Sequence, residues 1–445
     1  MSDTDGFDTP DYSNHPILKR PGFAAFRHRD YRLYFISRAT AVFAVDLTSA
    51  TLFFQLWRIT GNPLVYSAGG LLMFIPMLAL FPICGLAADK FPRTRIMFGC
   101  ANLQLICLAG LIYLTNINAA FPWFIPIILG LAVARAFQMP AQQAIVPVLV
   151  PAKHLANAIA WQSTGFQTAR VIGWGTSGFL MAAGEALGMF EQIAYMTAFG
   201  ILVVTAIVTY LIKAKAQIIS KDPFNFTTVS AGIRFSFTRP VILGSIGLDL
   251  FSVLLGSAKA LMPIFVTDVL FIEKIYYGFL QGSLVTGSLL CMLALTQSPI
   301  RRLAGKKLFA AVVIFGLGTI IFGLSTNFWI SMAALFLVGA GDSVSIFVRN
   351  SILQPITPDD MRGRVNAVNS LFINASNEMG DAESGAVAYL FGPVGAVVIG
   401  GVGTIVVALS FVKIFPQLWN VDSLDPDDLV AKYRDVSPKP SAAQT

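Results

Sequence analysis

Long apolar runs alternate with short polar breaks along nearly the whole chain. The first six fall at approximately 33–57, 64–88, 96–115, 122–146, 155–183 and 192–213. Six more follow at approximately 241–270, 276–298, 307–325, 328–354, 365–391 and 394–415. About 20 apolar residues in a helix cross the ~30 Å hydrocarbon core of a bilayer. The pattern predicts an all-α polytopic membrane protein with twelve transmembrane helices. Its longest interior break, Lys213–Arg239, is rich in Lys, Ser, Thr and Asn and divides the spans into six and six. The expected organisation is a disordered cytoplasmic tail (1–22), a six-helix half (23–215), a cytoplasmic middle loop (216–238), a second six-helix half (239–416) and a disordered acidic tail (417–445). Lys19–Arg32 (KRPGFAAFRHRDYR) is basic and amphipathic, which predicts a segment lying against anionic headgroups.

Composition agrees with the pattern. Charged residues are 12% of the chain, hydrophobic residues 55%, and mean hydropathy is +0.69. Soluble domains carry about 25% charged residues. The net charge of +7 would suggest a polyanionic partner in a soluble protein. Here the distribution of Lys and Arg accounts for it without nucleic acid. One set of alternate loops holds Lys19, Arg20, Arg27, Arg29, Arg32, Lys90, Arg93, Arg95 and Lys153. The same side takes Lys213, Lys215, Lys221, Arg234, Arg239, Arg301, Arg302, Lys306, Lys307, Arg362 and Arg364. The opposite side has only Arg58 and Lys274. The positive-inside rule then places both termini in the cytoplasm and supports an even number of spans. The outer loops Thr115–Trp123 and Ser325–Trp329 are too short for a receptor domain. The first residues are acidic and polar, unlike a cleavable signal peptide. Cys84, Cys100, Cys107 and Cys291 form no CxxC pair, and His15, His28 and His154 are scattered, so no disulfide framework, metal or cofactor is expected. Ser–His, HExxH and paired-Asp protease patterns are lacking, which argues against an intramembrane enzyme.

The halves repeat. Asn157-Ala158 leads to Gly173…Ser177-Gly178, and Asn366-Ala367 leads at nearly the same distance to Gly380…Ser384-Gly385. A pair of prolines precedes each, Pro147 with Pro151 and Pro355 with Pro358. A parallel six-plus-six repeat is the internal symmetry of one large transporter architecture. Gly165, Gly173, Gly175 and Gly178 recur at spacings that permit close helix packing. Trp57, Trp123 and Trp329 fall near the outer span ends, where interfacial anchors sit.

Ionisable side chains lie deep in the predicted spans: Arg38, Asp46, Arg135, Arg170, Asp249, Lys259, Asp342, Arg349, Glu378, Asp381 and Glu383. Each costs about 2.5–3.5 kcal/mol at a bilayer centre on insertion scales, so they line a wet cavity or pair inside the protein. Asp342 and Arg349 share a helix face two turns apart, and Glu378 and Asp381 share one within a turn. Two carboxylates that close repel, and one is expected to hold a proton. Asp46, Arg135, Asp342, Glu378 and Asp381 are therefore the proton-coupling candidates, with Arg135 a modulator. Arg38, Arg170, Asp249, Lys259, Arg349 and Glu383 are candidates for the cavity or its charge network. For Arg38, snorkelling towards the cytoplasm competes with this reading. For Arg170, Asp249 and Lys259, structural pairing with charges on other helices competes.

Gly85-x-x-x-Asp89-Lys90-x-x-Arg93-x-Arg95, between spans two and three, resembles motif A of the major facilitator superfamily. A narrower resemblance is to its enterobactin-exporter-like branch of transmembrane secretion effectors. It rests on FAAFRHRDYRLYF at 23–35, RAFQMPAQQAIVPVLVPAKHLANAIA at 135–160 and the stretch 339–385 with Arg349, Thr357-Pro358, Arg362-Gly363-Arg364 and Ser384-Gly385. Met139 stands where the proton-antiporter pattern has Gly, and Trp174 where it has a Gly-Pro step. The second-half counterpart of the opening loop, Pro299–Lys307, is basic but has no Asp. The resemblance implies a monomeric bacterial inner-membrane exporter of siderophores or other small amphipathic molecules. It would be driven by protons and work by alternating access, with Gly85, Asp89, Lys90, Arg93 and Arg95 as the cytoplasmic gate. An importer, a lysophospholipid-type flippase and a non-transporting sensor are the rival readings.

Overall fold

The computed structural model describes residues 21–213, 234–273, 275–298, 300 and 302–433. All regular structure among them is helical. Helices α1 (Arg29–Thr60), α2 (Pro63–Lys90), α3 (Arg93–Asn116), α4 (Ile125–Leu149), α5 (Ala152–Ala186) and α6 (Gln192–Tyr210) make the first series. Helices α7 (Pro240–Leu255), α8 (Ile275–Gln297), α9 (Ala304–Leu324), α10 (Phe328–Ile356) and α11 (Asp359–Ile414) make the second. Ten helical segments among the described residues are long and apolar enough to cross a membrane. Two features reconcile this with twelve predicted spans. Helix α5 is helical throughout but too polar to qualify, and α11 joins two predicted spans across a kink at Gly392. Gly392 has φ +76°, which a side chain would resist, and Pro393 follows it.

The described chain forms two compact units, 21–60 with 75–213 and 61–74 with 234–433. In the first, α1 packs on α5 and α6, and α3 packs on α4 and α6. In the second, α7 packs on α11, α9 on α10 and α11, and α8 on α10. The proline pairs do equivalent work in both. Pro151 precedes α5 with φ −61° and ψ 154°, and Pro358 precedes α11 with φ −57° and ψ 151°. Proline fits there because the first turn of a helix has no partner for the missing N–H. The apolar windows of α1 and of Pro240–Val269 are each 61% buried, against 31–50% for the others, so these two segments form the interiors of their units. Ile106, Tyr113, Leu390 and Leu409 stand exposed on other helices, as lipid-facing side chains should. Trp123 and Trp329 are exposed at outer helix ends, as interfacial anchors require.

One expectation is extended and two change. The described part of the segment predicted to lie on headgroups has a protein partner as well, since it docks on α5. Pro21–Arg27 is a 3-10 turn whose Phe23 and Phe26 rings lie 4.9 and 5.2 Å from the Trp161 ring. Asn157 accepts from the Ala25 amide at 3.0 Å and donates to the Gly22 carbonyl at 2.8 Å. The acidic tail is ordered up to Tyr433. The Leu303 amide donates to Asp422 at 2.9 Å, Leu429 is buried, and Pro426–Tyr433 is helical. The apolar run 241–270 is not one helix. After Leu255 the chain unwinds through Gly256–Ala258 and resumes as short 3-10, α and π turns up to Val269. The expected tail 1–20, most of the middle loop (214–233) and the last residues 434–445 lie outside the described residues.

Candidate functional site

The site candidates gather into a cluster in each unit. In the first, Gly173 lets α5 approach α1. A Cβ there would sit 2.9 Å from the Phe43 carbonyl and 3.2 Å from the Asp46 Cβ. One turn away, Arg170 Nε lies 3.4 Å from Asp46 Oδ2. Arg170 and Arg38 both lie against the Phe166 ring, 5.5 and 5.3 Å from its centroid. Arg38 donates to Gln142 Oε1 on α4 at 2.9 Å and reaches the Tyr34 hydroxyl at 3.5 Å. It is therefore held inside the unit and does not simply snorkel. Arg135 is half-buried on α4, one turn from Gln138, which accepts from Gln104 at 3.0 Å. Gly175, expected among the packing glycines, faces open space.

In the second unit the unwound stretch after α7 creates the cluster. Side chains of α11 bond the backbone on either side of the break: Ser384 donates to the Ser257 carbonyl at 3.0 Å, and Thr404 at 3.0 Å to the Ser252 carbonyl, which also keeps the Gly256 amide. The break brings Lys259 Nζ to 3.7 Å from Asp381 Oδ2 and 2.9 Å from Asn377 Oδ1. Ser257 donates to Asp381 as well. The ammonium thus offsets the repulsion expected between Asp381 and Glu378. Glu378 and Glu383 are half-buried on α11. Asp249 and Arg349 form a second ion pair, buried to 7% and 2% side-chain exposure. Arg349 therefore meets an acid on α7, rather than relying on Asp342 along its own helix. Asp342 lines a small cleft with Asp249, Ser252, Phe315 and Ser345.

In the expected gate, α2 ends at Lys90, Pro92 turns the chain and α3 begins at Arg93. Arg93 donates to the Ala144 carbonyl near the C-terminal end of α4, where a cation suits the helix dipole. Lys90 and Arg95 are exposed. Gly85 lies within α2, and the side chains of Asp89, Arg362 and Arg364 are not among those the structure describes.

Sequence reasoning missed three features. Arg58 makes a two-point bond to buried Glu191 at 2.6 and 3.0 Å. Gln55 donates to Thr115 at 2.9 Å and accepts from Tyr195 at 2.8 Å in the interior of the first unit. His28 and His154 lie within hydrogen-bond distance of each other, 3.0 Å between ring nitrogens. The only sequence signal for the first two was polar side chains inside or beside apolar runs.

Apolar helical passes in two units, with ion pairs between helices inside each, are the features of a polytopic membrane fold. Solved structures bear this out at the level of fold. A bacterial homologue of the human lysosomal transporter Spinster is 16% identical with a TM-score of 0.65, covering 92% of this chain and 100% of that one. A D-xylose–proton symporter is 13% identical with a TM-score of 0.69, covering 87% and 98%. Residues 23–437 match the family described as transmembrane secretion effector, and the chain belongs to that family of the major facilitator superfamily. Among curated relatives, the enterobactin exporter EntS of Escherichia coli O139:H28 is 22% identical over 404 residues, 88% of this chain and 93% of that protein. Macrolide efflux protein A of Streptococcus pyogenes is 25% identical over 144 residues, and the match spans only 35% of that protein's length.

Proposed function

We propose that the protein exports a small amphipathic molecule across the bacterial inner membrane, driven by inward proton flow and working by alternating access. The observation that carries this is the pair of accessible ion pairs inside the spans, Asp46–Arg170 and Asp381–Lys259. A carboxylate beside a cation can take up a proton, release its partner and so loosen one helix from another. Lys259 and Asp381 meet where α7 is interrupted, and interrupted helices are a common location of substrate and ion sites in carriers. EntS, by its name an enterobactin exporter, aligns over most of the chain, which supports a siderophore as cargo. The macrolide efflux relative supports a drug-like one. The protein would act as a monomer with both termini in the cytoplasm, as the Lys and Arg distribution suggests.

Transport into inverted membrane vesicles tests the reading. Proton-driven accumulation of the cargo, abolished by a protonophore, is the expected result. Accumulation that survives collapse of the gradient removes proton coupling. Uptake only in right-side-out vesicles makes the protein an importer.

A further inference from the structure

We infer that Arg38, Phe166 and Arg170 form a substrate subsite for the anionic end of an amphipathic molecule, a carboxylate or similar oxyanion. The inference rests on the export reading above and deepens it by naming the charge of the cargo. Its basis is a charge count at one place. Two guanidiniums lie against the same phenyl ring, 5.3 and 5.5 Å from its centroid. Arg170 has the Asp46 carboxylate at 3.4 Å. Arg38 has only neutral partners among the described residues, Gln142 and Tyr34, both through Nη1. Among the described residues, the cluster of two arginines and one aspartate therefore carries one excess positive charge.

The geometry also says how an anion would be held. Arg38 Nε is buried and donates to nothing. With Nη1 given to Gln142, Nε is a donor still without an acceptor. A guanidinium takes a carboxylate through two parallel hydrogen bonds, and a ligand that engages Nε opens the packing that covers it. An uncompensated charge shielded from water is costly, and a ligand anion would relieve that cost. A ligand would meet the cluster first at Arg170, whose side chain is 43% exposed. Apolar surface adjoins it. Phe35 packs against Gly165, next to Phe166, where a Cβ would come within 2.7 Å of the ring tip. A molecule with an acidic group and an apolar ring matches both features. A cationic amphiphile would meet two arginines and is disfavoured at this subsite.

The test uses purified protein in lipid nanodiscs and two dansyl probes that differ in charge alone. Dansylglycine carries a carboxylate, and dansylglycinamide is its neutral amide. Wild type should bind the acid about tenfold more tightly, as charge-assisted bonds to one arginine would give. Arg38→Gln should erase the preference while leaving amide binding in place. Phe166→Leu, which keeps both charges, should weaken both probes and preserve the preference. Should Arg38→Gln fail to fold, Arg38→Lys replaces it, and a preference reduced several-fold is expected because an ammonium cannot fork. Equal binding of the two probes by wild type overturns the proposal, as does a full preference in either Arg38 variant. A retained acid preference without proton-driven transport would overturn the export reading and leave the subsite standing.

Discussion

Asp46, Asp249 and Asp381 each meet a cation from a different stretch of chain, and burial separates their roles. The Asp249–Arg349 pair is 7% and 2% exposed, and water cannot replace a lost partner there. Removing one member of such a pair costs about 3–5 kcal/mol. Arg349→Met and Asp249→Leu should each lower the unfolding temperature sharply in detergent, and the double variant should recover much of the loss. Additive losses would show that the two side chains do not act as a pair. The Asp46–Arg170 pair is 17% and 43% exposed, so Asp46→Asn should leave the unfolding temperature nearly unchanged while abolishing proton-driven transport. A second residue-scale prediction concerns His28. Burial, reinforced by His154, Lys153, Arg27 and Arg32, lowers its pKa from 6.5 to about 4, and His154 is lowered in the same direction. The docked histidines are therefore neutral, and docking favours the deprotonated form. Docking of Pro21–Arg27 is fully supported above pH 6.5 and weakens as pH falls towards about 4, where the undocked ring is protonated first. Proteolysis within 21–28 should accelerate over that interval in wild type, and His28→Gln should flatten the dependence. An acceleration of equal size in the variant would assign the effect to other groups. Neither histidine stood out in the sequence, because the two are far apart in the chain and their partnership exists only after α5 folds against the N-terminal turn.

Helix periods and charge pairs differ in how far sequence alone could reveal them. Among the described residues the apolar runs became helical, 241–270 with a break inside it, since a run of that length in lipid has few other ways to satisfy its backbone. That Arg170 and Lys259 would pair with acids was foreseeable from the cost of an isolated charge, whereas the choice of partner depended on helix packing. The interruption after Leu255 was hidden, because the run 241–270 stays apolar through it and its support comes from Ser384 and Thr404, far along the chain. The tail was misread for the opposite reason. Its acidic composition masked Val421, Leu424, Leu429 and Tyr433, which pack on the core of the second unit. Asp422 gives that strap a specific task. Its side chain accepts from the Leu303 amide at 2.9 Å and its carbonyl from the Ala304 amide at 3.0 Å, at the start of α9. Lys306 and Lys307 crowd the same first turn, where the positive end of the helix dipole disfavours them. The acid that the loop Pro299–Lys307 lacks is thus supplied from the C-terminal strap. Asp422→Ala should destabilise the second unit by about 1 kcal/mol, the usual worth of a capping side chain. Hydrogen exchange in the first turn of α9 should rise in the variant, and unchanged exchange there would remove Asp422 from that role.

At the scale of the whole molecule, the two units repeat one packing scheme but do not carry the same charges. The first loop has Asp89 within its own sequence, and the second borrows a carboxylate from a distant strap. Carriers of this architecture move largely by rocking one repeat against the other around a fixed site. We propose that Asp89 latches the cytoplasmic side by pairing with a cation, while Arg93 anchors the loop on the end of α4 through the Ala144 carbonyl. The two residues should then fail differently. Arg93→Gln removes an anchor within the first unit and should reduce stability and export together. Asp89→Asn keeps size and hydrogen bonding but deletes the charge, so it should abolish export while leaving membrane insertion and the unfolding temperature at wild-type values. Transport in inverted vesicles, read beside the amount of inserted protein and its thermal unfolding, separates the outcomes. A well-expressed Asp89→Asn protein with full export would show that the loop charge takes no part in the conformational cycle. Loss of export accompanied by poor insertion would make Asp89 a determinant of assembly instead.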